Sequence, residues 1–360
     1  MVPAHQAAPW VARSQSHIVV TINYRLSIMG FPNAAGVEDQ NLGLLDQRAA
    51  LEWVRDNIQH FGGDPSKILL WGFSAGAQSI DFHNYAYWED PIAHAHFAQS
   101  GSVLAFGSGQ AEDHTKFTYV ARQLGCDYAI NAADELECMQ HLDYHDIINF
   151  IGRHTGEPRL RFGPITDEKV VFADYKERYA LGKVTQAPMI YSSCSNDGST
   201  LAGYDANHPE NGPNQAMVDI TTKRIMCGAA ESSKLREEYS MTTYRYQYAG
   251  DWPNQNPLEW MGAYHSSDLV MLFGTHEHGT GLSSTPLETE TSLRMQDFLL
   301  AFMNDPHNGP KELGWPAFEP MAIGGGTMIR FGANGKAVQN VSGSNVEGVC
   351  SGQGQYKPFP

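Results

Sequence analysis

Three polar residues in this chain are of the types that acyl transfer requires, and they occur in a usable order. Ser74 lies in the stretch Gly72-Phe-Ser-Ala-Gly76, between two glycines. The pattern G-x-S-x-G describes a nucleophile raised on a sharp strand-to-helix turn. It fixes only three positions in a chain that holds 35 glycines, so it acquires meaning from context. That context is a strand before, a helix after, and then an acid and a histidine downstream. Asp197 in "SNDGS" and His265 in "GAYHSSDLVMLFG" follow in that order. In such a set the serine attacks a carbonyl, the imidazole takes its proton, and the carboxylate holds the imidazole in the correct tautomer. Each residue also has a plainer reading. An Asp in "SNDGS" is a common turn residue, and the chain carries 15 histidines. His83, His94, His96 and His154 precede Asp197 and fall outside the order. His276 and His278, in "GTHEHGT", give too few ligands for a metal and read as a solvated loop.

The elements that must position these groups are legible as apolar patterns. "IVVTINY" (Ile18 to Tyr24) is a short β-branched run and reads as a strand buried on both faces. From Leu42 the apolar residues recur at helical spacing until Gly62-Gly63, with Pro65 beyond, so this stretch reads as an amphipathic helix. "KILLWGF" is a second buried strand, "AGAQSIDFHNYAY" a helix and "HFAQSGS" a third strand. The order strand, helix, strand, turn, helix, strand specifies a parallel α/β sheet with right-handed crossovers. Ser74 then falls at the C-terminal end of a strand, where open α/β sheets place their ligands. Further on, "TKFTYVARQLGC", "AADELECMQHL" and "YHDIINFIG" read as helices. "APMIYSS" (Ala187 to Ser193), "TTYRYQY" and "TMIRF" read as strands, and "AMVDITTKRIMCGAAESSKLREEYS" and "ETETSLRMQDFLLAFMND" as helices. No repeat or low-complexity linker divides the chain, so residues 1–360 are expected to form one domain.

Bulk properties narrow the function. Hydrophobic residues make up 42% of the 360, enough for a sizeable core. The net charge of −16 argues against nucleic acid and anionic membranes as partners. No apolar run approaches the roughly 20 residues of a membrane span, and "MVPAHQAAPWVARSQS" is not a signal peptide. The cysteines, Cys126, Cys138, Cys194, Cys227 and Cys350, show no C-x-x-C spacing and so no structural zinc site. Cys126 and Cys138 are close enough to close a small disulfide loop; the alternative is a set of buried free thiols. Asn340-Val-Ser is a glycosylation acceptor that hints at secretion. Nothing in the sequence sets an oligomeric state.

Over a long ordered match, "VVTINYRLSIMGF", "NLGLLDQRAALEWVRDNIQHFGGDPSKILLWGFSAGAQS" and "FAQSGS" resemble the type-B carboxylesterase/lipase family, which includes cholinesterases and fungal lipases. "NDG", "GAYHSSDLVMLFG", "MQDFLLAFMNDP" and "GWPAF" resemble its later segments, so the likeness runs from about residue 11 to about residue 330. The resemblance implies the α/β-hydrolase fold, a mostly parallel central sheet flanked by helices. It implies Ser74 as nucleophile, Asp197 as triad acid, His265 as general base and the Ala75 N–H as an oxyanion donor. It implies a small-molecule carboxylic ester as substrate and no metal or organic cofactor. It pairs Cys126 with Cys138 and Cys227 with Cys350, leaves Cys194 free, and makes Asp268 a structural acid.

The sequence also departs from the family. The strand and the HGGG-type loop that precede the "VVTINYR" segment in relatives are missing, so the expected fold lacks the N-terminal strands and that part of the oxyanion hole. Such a chain is expected to be an N-terminally truncated product of a secreted parent. Its sheet then either leaves edges unpaired or closes up around the gap. Phe73 stands where most relatives carry Glu, which alters the charge beside the nucleophile. The 68-residue spacing from Asp197 to His265 is shorter than the family usually shows. Two functions follow: a serine carboxylic-ester hydrolase acting through an acyl-enzyme, or a catalytically impaired or non-catalytic binding module on the same fold. A peptidase has no supporting feature.

Overall fold

The computed structural model describes residues 6–360 except 108, 129–130 and 279–281. It divides into two compact units, one made of the residues up to Val20 with Arg55–Gly107 and Tyr179–Pro360, the other of Thr21–Val54 and Ser108–Arg178.

The first unit is built on a six-stranded sheet whose spatial order follows the sequence. Its strands are β1 (Leu69–Phe73), β2 (Ala95–Gln99), β3 (Met189–Cys194), β4 (Thr243–Tyr248), β5 (Thr327–Ala333) and β6 (Lys336–Ser342). β1 to β5 pair in parallel, and β6 returns antiparallel against β5. Parallel pairing requires crossovers, and helices provide them on both faces. On one face, Phe97, Tyr244, Tyr246, Tyr248 and Phe331 pack with Met271, Met295, Phe298 and Phe302 of the helices Ser267–Phe273 and Pro286–Asn304. On the other, Ala98, Met189 and Tyr191 meet Ala77 and Ile80 of the helix Ala75–Ala86 and Ala229 of the helix Gln215–Glu238. This is the α/β-hydrolase architecture expected from the sequence. The Pro286–Asn304 helix starts where its chemistry dictates. Pro286 needs no N–H partner there, and Thr285 and Glu288 cap each other's backbone at 3.1 and 3.3 Å.

The expected first strand does not form. Ile18 to Tyr24 adopts no regular structure, and Ile18, Val20 and Ile22 are 43%, 44% and 41% exposed rather than buried on both faces. β-branched composition supplies propensity, but a strand exists only where a neighbour completes its hydrogen-bond ladder. Among the described residues β1 pairs with β2 alone, so of the two expected outcomes the open edge is the one found. β6 was missed because "KAVQNVS" alternates only weakly between apolar and polar residues.

The second unit packs the helices Thr115–Gln123, Ala132–His141 and Tyr144–Arg153 around Phe117, Val120, Met139 and Ile147. Cys126–Cys138 links two of its segments. Just before the helix Leu42–Asn57, Asn41 reads both polar groups of Ile165 at 2.8 Å, donating to its carbonyl and accepting from its N–H.

The C-terminal part of the first unit holds Cys227–Cys350 and, close by in sequence, a buried ion pair in which Arg245 of β4 donates to Glu347. Arg245 is fully buried, and burial pushes the Glu347 carboxyl up while the guanidinium opposes the shift. Removing one partner strands a charge in the core, which costs about 3–5 kcal/mol, whereas removing both with apolar replacements is close to neutral. In urea unfolding, Glu347→Ala is expected to lose about that much stability, and the pair Arg245→Met with Glu347→Leu to recover most of it. Equal losses in the single and double variants would show that the pair does not act as a unit.

Candidate active site

All of the expected triad residues lie in the first unit and leave its sheet at one rim. The register sets Phe73 beside Gln99 and Gln99 beside Ser192, so the residues that follow β1, β2 and β3 emerge together. Ser74 follows β1 directly and precedes the helix Ala75–Ala86. Its backbone has φ 56° and ψ −114°, a left-handed conformation that costs a non-glycine residue about 1–3 kcal/mol. Two bonds hold it there: Ser74 N–H to the Gln99 carbonyl at 2.8 Å, and Gln78 N–H to the Ser74 carbonyl at 3.1 Å. The tight turn needs close backbone approach. A Cβ on Gly72 would lie 2.2 Å from the Gly76 oxygen, and one on Gly101 would lie 2.6 Å from the Ser74 oxygen. Ala75 opens the helix, where first-turn N–H groups have no partner within the helix and point outward.

Asp197 sits in the loop after β3 and is completely buried. Its Oδ1 lies 2.7 Å from His265 Nδ1. Its Oδ2 accepts from the Cys194 N–H at 2.8 Å and from Ser100 Oγ at 3.3 Å. The two loops are clamped together by backbone and side chain. Asn196 N–H donates to the Ala263 carbonyl at 3.0 Å, and Asn196 Nδ2 donates to the carbonyls of Trp260 and Met261 at 3.0 and 2.9 Å. His265 is itself buried. Its Nε2 makes no hydrogen bond to Ser74 Oγ or to any other described group, and catalytic bonds of this kind commonly close only in the reacting complex. The ring of Phe73, next to Ser74 in the chain, packs on the His265 ring with centroids 4.5 Å apart.

A second carboxyl lies close to this pair. Asp268, in the first turn of the Ser267–Phe273 helix, is fully buried and accepts from Tyr246 Oη at 2.8 Å. Burial raises its pKa to about 6, opposed by the Tyr246 bond and reinforced by the charge of Asp197. The Cys194 thiol is also buried and unpaired in disulfide terms. Burial, with Asp268 and Asp197 nearby, pushes it well above the usual thiol range, so it stays protonated and unreactive. Sequence reading missed Ser100. Its signal was "QSGS" at the end of a strand, beside the loop that carries the acid. The solvated-loop reading of His276 is corrected: the residue is buried, with Nδ1 2.7 Å from Ser284 Oγ and 3.6 Å from the buried Glu288 carboxylate. A polar side chain was held inside by partners that lie 8 and 12 residues further along the chain. The side chain of His278 lies outside the described residues. Both disulfides implied by the resemblance are present.

The doubly covered parallel sheet, with its abrupt turn from β1 into a helix, is that of an α/β-hydrolase. More particularly, the chain belongs to the carboxylesterase family, whose model matches residues 7–226 and 207–341. It is 41% identical to a chlorogenic acid esterase of Aspergillus niger over 358 residues, covering 95% of this chain and 68% of that protein. It is 36% identical to secreted lipase 5 of Gibberella zeae over 368 residues, covering 97% and 68%. A more distant relative is human neuroligin-2, 26% identical over 264 residues, 72% of this chain and 30% of that one. The chain is a carboxylesterase-type hydrolase. No described helix is long and apolar enough to cross a membrane.

Asp268 makes a pH prediction. A carboxyl whose folded pKa of about 6 exceeds its usual 3.8 holds its proton more tightly when folded. It therefore favours the folded chain at low pH and withdraws that support as pH rises from about 4 to about 6. Asp268→Asn, which cannot titrate, is expected to flatten this part of the curve of Tm against pH. An unchanged slope would rule out Asp268 as its source.

Proposed function

We propose that Ser74, His265 and Asp197 hydrolyse a small carboxylic ester through an acyl-enzyme. The observation that carries the reading is the buried Asp197–His265 pair at 2.7 Å, on the rim where Ser74 stands on its strained turn. In the first half-reaction Ser74 Oγ attacks the ester carbonyl while His265 Nε2 takes its proton. The Ala75 N–H donates to the oxygen on which negative charge develops. The tetrahedral intermediate collapses, His265 returns the proton to the leaving alcohol, and the acyl group remains on Ser74. Water, deprotonated by His265, then releases the carboxylic acid. Asp197 keeps its charge throughout and stabilises the imidazolium. Every proton in this cycle moves between side chain, substrate and water, so no step calls for a metal or organic cofactor.

The name of the Aspergillus relative makes chlorogenic acid the first ester to assay. Two disulfides and a secreted lipase among the relatives support export of the protein.

A fluorophosphonate probe tests the nucleophile. Wild-type chain is expected to be labelled and Ser74→Ala to remain unlabelled with the same Tm. Asp197→Asn is expected to slow ester hydrolysis by roughly 10³–10⁴, because the imidazole loses its required tautomer. A folded wild-type chain that takes no label, or a Ser74→Ala chain that does, would overturn the assignment.

A further inference from the structure

Strand alternation decides where the Phe73 side chain goes. Leu69 and Trp71 of β1 pack against the aromatic core beside the Ser267–Phe273 helix, with Trp71 5.2 Å from Phe97 and 5.1 Å from Phe273. Phe73 is two residues beyond Trp71, so it leaves the same face of the strand at the rim. There its ring meets the imidazole of His265 at 4.5 Å, with the two planes inclined by 41°.

That contact answers a mechanical need. His265 has one hydrogen bond, from Nδ1 to Asp197, and its Nε2 has no described partner. A single hydrogen bond fixes a distance and leaves the ring free to swing about the bond axis. A proton acceptor must present Nε2 to the serine in a narrow range of positions. A ring packed on the imidazole face supplies the missing restraint. Because Phe73 adjoins Ser74 in the chain, the restraint is referenced to the nucleophile itself. The charge pattern agrees. Asp197 is the hydrogen-bond partner of the imidazole, and Phe73 brings no ionisable group to its own contact with the ring.

We infer that Phe73 is a positioning residue for His265: its ring fixes the plane of the imidazole relative to Ser74 and sets an apolar surface, not a carboxylate, against it. The inference rests on the triad reading above and deepens it.

Histidine-labelled nitrogen NMR of the purified chain reads the imidazole without turnover, with the His265 signals assigned by their loss in His265→Gln. Phe73→Leu keeps an apolar cover and is expected to leave the His265 titration in place. Phe73→Glu sets a carboxylate against the ring and is expected to move the titration upward by about 1–2 pH units. Phe73→Ala removes the cover; the Nδ1 proton is expected to exchange faster, and fluorophosphonate labelling of Ser74 to slow by about tenfold or more. If Phe73→Ala does not fold, the leucine and glutamate variants decide alone. Unmoved titration in Phe73→Glu would overturn the inference, as would unaltered exchange and labelling in a folded Phe73→Ala chain. A wild-type chain that shows the ring restrained by NMR yet takes no label would instead fail the nucleophile assignment and leave the positioning intact.

Discussion

Asp197 is a carboxylate with no exposed surface, and such a group is tolerated only when donors surround it. Its three donors come from different parts of the first unit: the amide at the end of β3, the hydroxyl just past β2, and the imidazole before the Ser267–Phe273 helix. One buried charge therefore ties two strand ends to a loop that lies 68 residues away in sequence. The Asn196 clamps act in the same direction, because its backbone N–H and its side-chain amide together fix the His265 loop to the Asp197 loop. With these bonds in place, the imidazole has little freedom of position and needs only its plane defined.

The opposite side of the site is built from strain rather than from charge. Ser74 occupies a backbone conformation that a non-glycine residue avoids, and the first turn of its helix and the end of β2 hold it there. Two close approaches, at Gly72 and Gly101, leave no room for a side chain. Strain and buried charge are both costly features, and both sit on the edge of a sheet whose interior is packed with aromatic side chains. The rigid part of the unit stabilises the site, and the site concentrates what the rest of the fold avoids. Asp268 belongs to the same economy: burial keeps it neutral over a wider pH range than an ordinary carboxyl.

Much of the site was legible before any coordinates. "KILLWGF" followed by "SAGAQS" is a buried strand running into a helix, and only a sharp turn joins them, so Ser74 could be placed at a strand end from pattern alone. Asp197 just past "APMIYSS" could be placed at the same rim by the parallel order of the strands, whereas His265 was singled out by its order after Asp197 and by the family resemblance. Ser100 ends a strand in "QSGS", but that position alone does not give its role, which depends on which loop lies beside it. His276 failed for the same reason in reverse: a histidine in a glycine-flanked loop looks solvated until Ser284 and Glu288 close around it.

By itself the sequence determined the class of sheet and most of the strands and helices that build it, and it named candidate residues for acyl transfer. These follow from local periodicity and residue chemistry, which act over a few neighbours. The tertiary structure alone decided that Ile18 to Tyr24 is not a strand, that Phe73 lies on the imidazole of His265, and that Asp197 has three donors. Each of these depends on what stands beside a residue in space: a ladder partner, a facing ring, a donor from another strand. Contacts between distant parts of a chain leave no periodic trace in it.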